Sequence, residues 1–142
     1  MTAQRSKETV RGFVDALVRG ELDEWDQVLA PHYTEHNDNM PSDREALKRY
    51  FREIMGKAFP DATYHPEDLF AEGDKVAYRW SMQGTHTGEF LGIPPSGRRV
   101  STSGIDIWRV EDGRMVEHWG AYDSLGLMQQ IGALPPQPER AR

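Results

Sequence analysis

From Arg98 to Tyr122 the chain reads RRVSTSGIDIWRVEDGRMVEHWGAY. Two runs of alternating apolar and polar residues flank Asp112-Gly113, a dipeptide that favours the tight turn of a β-hairpin. A two-residue turn sets Val110 opposite Met115. Continued without interruption, that register puts Trp108 opposite Glu117, Asp106 opposite Trp119 and Thr102 opposite Asp123. Thr102, Gly104, Asp106, Trp119, Ala121 and Asp123 then share one face, and Ile105, Ile107, His118 and Tyr122 share the other. In this register Asp106 and Asp123 are four residues apart, roughly 13 Å at ordinary strand rise. A bulge, for which Gly120 is the candidate, would bring them closer.

Working back from the hairpin, Gly88 to Gly97 is a loop stiffened by Pro94-Pro95, and its Phe90, Leu91 and Ile93 are too apolar for a loop with nothing to cover. The spacing predicts a lid or rim, or else a loop packed on its own domain's edge. Before it, Val76, Tyr78, Trp80 and Met82 alternate with polar neighbours and face a core, and the same parity carries His86 inward. Thr63 to Glu72 reads as a strand bent at Pro66, which suits an edge or a bulge. Three helices are expected earlier. Val10, Phe13, Val14, Leu17 and Val18 mark the first, capped by Ser6 and stopped at Gly20. Leu22, Trp25, Val28 and Leu29 mark a short second one, closed by Pro31. The third opens at Ser42, with Glu45 completing a capping box, and runs to Ala58 along Leu47, Tyr50, Phe51, Ile54 and Met55. Between the second and third, His32 to Asn39 reads as a polar loop carrying His32 and His36. Beyond the hairpin, Leu125, Met128 and Ile131 mark a closing helix, and 133–142 reads as a loose, proline-rich tail.

Helices followed by a run of antiparallel strands argue for a single α+β domain spanning 1–142. At 142 residues, roughly two thirds of the unfolded chain's surface can be buried. A net charge of -6 with interleaved acids and bases argues against nucleic acid and anionic membranes as partners. No apolar run approaches membrane-spanning length, and the N-terminus lacks a secretory signal pattern, so a cytoplasmic location is expected. Without cysteine there is no disulfide or thiolate metal site.

Four stretches resemble the SnoaL-like polyketide cyclase family: Gly84-Thr85-His86-Thr87-Gly88-Glu89-Phe90, Gly92-Ile93-Pro94-Pro95-Ser96-Gly97, Asp112-Gly113-Arg114-Met115-Val116-Glu117-His118-Trp119, and Asp123 through Gly132. The resemblance implies a nuclear transport factor 2-like cone, a curved antiparallel sheet wrapped around N-terminal helices. It implies a cofactor-independent, metal-free intramolecular aldol condensation of an aromatic polyketide methyl ester, and a homodimer. The family's general acid/base aspartate falls on Asp123. Its strand histidine falls on Asp106, a nearby glutamine on Gly104, and an early-loop asparagine on Glu35.

A carboxylate set against Trp119, Trp80, Tyr78 and Met82 would be desolvated and become more basic. Asp123 can then remove a proton beside a carbonyl and return it to the alkoxide. Oxyanion donors are sought in His86, His36 and Tyr33, or in a protonated Asp106 of the kind ketosteroid isomerase uses. Phe90 closes the expected pocket, which takes a small hydrophobic carbonyl compound. Other readings stay open. Asp123 can also cap the closing helix, with the family match favouring catalysis, Asp106 can be a structural acid, His86 can anchor the lid, and His118 faces away, toward a subunit interface with Ile105, Ile107 and Tyr122. The same cone supports other lyases, isomerases and hydrolases, such as dehydratases and epoxide hydrolases, and non-catalytic ligand pockets.

Overall fold

The Asp112-Gly113 turn forms, with both residues at positive φ (52° and 76°), the backbone of a type I′ hairpin. In the computed structural model, which describes residues 2–136 and 138, this turn joins β4 (Arg99–Glu111) to β5 (Arg114–Tyr122). The first pair is as expected, Val110 with Met115, but the next is Arg109 with Glu117. Val116 is therefore an extra residue, a bulge one step from the turn rather than at Gly120. Because side chains alternate with period two, one inserted residue reverses the facing of everything beyond it. His118 now pairs with Trp108, Gly120 with Asp106 and Tyr122 with Gly104. The expected faces of β5 are thus inverted: His118 and Tyr122 point to the concave side and Trp119 to the convex side.

The other strands complete a five-stranded curved sheet of order β1-β5-β4-β3-β2, with β2 at Thr63–Glu72 and β3 at Lys75–Thr85. Val76, Tyr78 and Met82 are buried on the concave face as predicted. The β2–β3 register shifts between Pro66 and Asp68, so the proline sits at a bulge on an edge strand, where its missing N–H costs no ladder bond. One strand was not anticipated. Leu29–Glu35 forms β1 and lies parallel to β5, with Glu35 level with His118. The stretch expected to be a second helix is a 3₁₀ turn, Leu22–Gln27, and Pro31 lies within the β1 edge strand. His32 to Glu35 therefore belongs to the sheet rather than to a loop.

Helix α1 (Ala3–Arg19) fills the concavity with Val10, Phe13 and Val14. Its N-cap is Thr2 rather than Ser6, and Gly20 ends it in the left-handed conformation. Phe13 stacks on Trp25 at 4.4 Å and tilts against Trp108 at 5.5 Å. The third predicted helix is present in three parts: α2 (Arg44–Arg49), a π-helical turn (Tyr50–Met55) and α3 (Gly56–Ala58). Asp43, not Ser42, caps it by accepting from Ala46 N. At its end the 88–97 loop crosses so closely that a Cβ on Gly88 would collide with the Lys57 carbonyl. Helix α4 (Ser124–Gln130) closes the chain on buried Leu127 and Ile131, while Leu125 is exposed. Ala133 N and Leu134 N bond back to Met128 O, so the expected tail begins attached. Gln137 and 139–142 lie outside the described residues.

Candidate active site

Between α1, the α2–α3 segment and the concave sheet lies a cavity of about 600 Å³, within the range of small-molecule sites. Its wall is mostly apolar and aromatic. Its floor holds a chain of buried polar groups that meets at His118.

The β5 bulge turns His118 toward the cavity. Its Nδ1 lies 2.7 Å from Glu35 Oε2 on β1, and its Nε2 lies 2.6 Å from Asp106 Oδ1 on β4. Tyr122 donates to the same Asp106 Oδ1 at 2.9 Å, and Trp80 Nε1 donates to Oδ2 at 2.7 Å. The side chains of Glu35 and His118 are each 4% exposed and that of Asp106 12%. Burial opposes charge on the imidazole, but hydrogen bonds and negative charge from Asp106 and Glu35 outweigh it. The His118 pKa is pushed up to about 9. At neutral pH it is an imidazolium with both ring N–H groups donating, one to each carboxylate. Asp106 is an acceptor throughout: Oδ1 takes His118 and Tyr122, Oδ2 takes Trp80 alone and keeps lone-pair capacity, and the residue lines the cavity.

Two glycines make this geometry possible. A Cβ at Gly104 would lie 2.6 Å from Trp80 Cζ2 and 2.7 Å from Tyr122 Cδ1. A Cβ at Gly120 would collide with the Tyr122 hydroxyl and lie 2.9 Å from His118 Cε1. With no side chain at either position, the Tyr122 ring lies back along the sheet and reaches Asp106. Burial and the Asp106 charge raise its pKa well above the ordinary phenol value, so it remains a donor.

Of the residues singled out from the sequence, Asp106, Tyr33, Tyr78, Trp80, Met82 and Phe90 line the cavity, and Asp123 stands at its rim. Tyr33 is not a free oxyanion donor, because its hydroxyl donates to Pro41 O at 2.9 Å. The desolvated Asp123 is corrected: the residue is exposed, and its Oδ1 accepts from Gly126 N at 3.0 Å as the N-cap of α4. Three others lie outside the wall. Trp119 is on the convex face, stacked on His36 at 4.9 Å, and His36 Nε2 lies 2.7 Å from Glu117. The β5 bulge turns Trp119 to that face, where His36, just beyond β1, packs on it. His86 is fully buried against Phe59, which in turn packs on Phe90, and its Nδ1 accepts from Ser96 N at 3.1 Å. It anchors the loop whose Phe90 and Leu91 reach the cavity.

His118, Tyr122 and Glu35 were missed as site residues. One signal for them was legible: only the bulged register sets Arg109 opposite Glu117, and those side chains pair at 2.8 Å. An uninterrupted hairpin would instead face Glu117 with Trp108.

Comparison with known proteins agrees with this architecture. The chain is 30% identical over 138 residues to the aklanonic acid methyl ester cyclase of Streptomyces peucetius, covering 92% of each chain. It is 26% identical over 132 residues to the nogalonic acid methyl ester cyclase of Streptomyces nogalater, covering 89% of this chain and 96% of that one. Among solved structures, TsrD from Streptomyces laurentii matches with a TM-score of 0.81 and 34% identity, over 94% of this chain and 99% of that one. The family model for SnoaL-like polyketide cyclase matches residues 7–131. By fold, sequence and extent of match, the chain belongs to the SnoaL-like polyketide cyclase family.

Proposed function

We propose that the protein cyclises a neutral aromatic polyketide ester by a cofactor-independent intramolecular aldol condensation, with Asp106 as the proton-transferring group and His118 as its electrostatic partner. The observation that carries this reading is the buried Glu35–His118–Asp106 chain, with Tyr122 and Trp80 donating to Asp106, at the floor of an apolar cavity. Asp106 Oδ2 takes the proton from a carbon flanked by carbonyls, leaving an enolate. The enolate carbon attacks a second carbonyl of the same molecule, and the new alkoxide recovers the proton from the Asp106 carboxyl. Atoms and charge balance without a co-reactant. Glu35 offsets the imidazolium, so Asp106 does not face an uncompensated cation, and the burial of all three side chains strengthens each electrostatic contact. The cavity holds the folded-back conformer in which the reacting carbons meet.

The charge of the lining supports an ester over a free acid. Among the described residues, Glu35, Asp38, Glu53, Asp106 and Asp123 face the cavity or its mouth against only Arg49 and His118, which disfavours a carboxylate ligand. The same reading includes a homodimer through the convex sheet face, where Ile105 and Ile107 are 48% and 37% exposed. Tyr122 takes no part in that surface, since it faces the cavity.

Solvent deuterium exchange into a bound β-keto ester tests the assignment. Asp106→Asn is expected to lose exchange by a factor of about 10² or more, and Asp123→Asn to retain it. Exchange retained in Asp106→Asn but lost in Asp123→Asn would move proton transfer to the rim aspartate to which the family resemblance points.

A further inference from the structure

Tyr50, Tyr64 and Tyr78 reach the cavity wall from three separate elements: the π-helical turn, β2 and β3. Phe51 connects two of them, edge-on to Tyr50 at 5.3 Å and to Tyr64 at 5.8 Å. Tyr78 sits level with Asp106 in the β3–β4 register. Their rings serve the wall, but phenylalanine would serve it equally well, so the hydroxyls require a separate reason.

None of the three hydroxyls has a hydrogen-bond partner among the described residues, and none is sealed away from accessible space. The contrast with the neighbouring tyrosines is direct. Tyr33 donates to Pro41 O, and Tyr122 donates to Asp106. Bonded to no protein group and open to the cavity, the three hydroxyls are available to a ligand in a way that those of Tyr33 and Tyr122 are not. Burial raises the pKa of each phenol; Tyr50 adds to the effect at Tyr64, and Asp106 and Tyr64 add to it at Tyr78. All three therefore keep their protons and act as permanent neutral donors, suited to carbonyl oxygens.

We propose that the hydroxyls of Tyr50, Tyr64 and Tyr78 form a subsite that hydrogen-bonds the carbonyl oxygens of a flat aromatic ligand. By fixing those oxygens, the subsite selects which carbon is presented to Asp106. The ligand chemistry rests on the cyclase reading above, whereas the donors are properties of this cavity.

The test uses two probes of the same ring skeleton, 9,10-anthraquinone and anthracene, titrated by tryptophan fluorescence. The intact chain is expected to bind the quinone about tenfold more tightly than the hydrocarbon, the size of one or two neutral hydrogen bonds. The Tyr50→Phe/Tyr64→Phe/Tyr78→Phe variant, which creates no cavity, is expected to lose that preference while its affinity for anthracene stays within about twofold. Each single Phe variant should give part of the loss. A quinone that does not bind the intact chain, binds it no better than anthracene, or binds the triple variant undiminished overturns the proposal. Asp106→Asn separates the two readings, because it should keep the quinone preference while losing deuterium exchange. Exchange that survives there, with the preference intact, removes the acid/base assignment and leaves the subsite standing.

Discussion

At the scale of single residues, the site depends as much on two missing side chains as on those present. Gly120 and Gly104 leave the space through which Tyr122 reaches Asp106. Gly120→Ala would push the Tyr122 hydroxyl off Asp106 and press on His118. The expected outcome is a stability loss of about 1–3 kcal/mol in urea unfolding, typical of an overpacked site, with kcat falling more than KM rises. Unchanged kcat in a folded Gly120→Ala protein would show that the Tyr122–Asp106 bond contributes nothing to turnover. Asp106 was legible from the sequence as an acid on a concave-facing strand position, and the structure keeps it there. Its partner His118 was not, because the facing of a strand residue depends on every pairing between it and the turn.

The element that decides the site is therefore the bulge at Val116. Deleting Val116 would restore uninterrupted alternation, turn Trp119 and Glu117 toward the core and send His118 and Tyr122 to the convex face. Burying Glu117 without a partner costs several kcal/mol, so the deletion variant is expected to lose cooperative unfolding by circular dichroism. A native-like transition would mean that β5 can take either register. Helix α4 carries a gentler test. Asp123 caps it through Gly126 N, so Asp123→Ala should cost about 1 kcal/mol and Asp123→Asn only a few tenths. Equal midpoints for the alanine variant and the parent chain in urea would exclude the cap. The third predicted helix shows how far periodicity carries. Its apolar stripe places Leu47, Met55 and Ala58 in the core as expected. The π-helical turn bonds Gly56 N to Phe51 O, a five-residue step that no propensity announces, and it sets Tyr50 and Phe51 into the cavity wall.

For the whole molecule, the buried imidazolium links stability to pH. The His118 pKa rises from 6.5 in the unfolded chain to about 9 in the folded one, so the folded state binds the proton more tightly. That contribution is fully present below about pH 6.5 and is lost as pH climbs through 9, about 3 kcal/mol in all. Urea unfolding at pH 6, 7.5 and 9 should show a falling midpoint across this window, before tyrosines begin to titrate. A flat profile would mean that His118 is not charged in the folded protein. What the sequence by itself determined was local or periodic: the type I′ turn at Asp112-Gly113, the concave-facing alternation of β3, the proline bulge of β2, the first, third and closing amphipathic helices but not the second, and through its motifs the family and the α+β cone. What only the tertiary structure decided was the phase of β5 beyond Val116, the recruitment of β1 as a parallel edge strand, and hence the meeting of Glu35, His118 and Asp106. A strand's period can be read from its own residues, but its phase and its partner are set by hydrogen bonds to segments far away in the chain, and here those distant bonds place the charges.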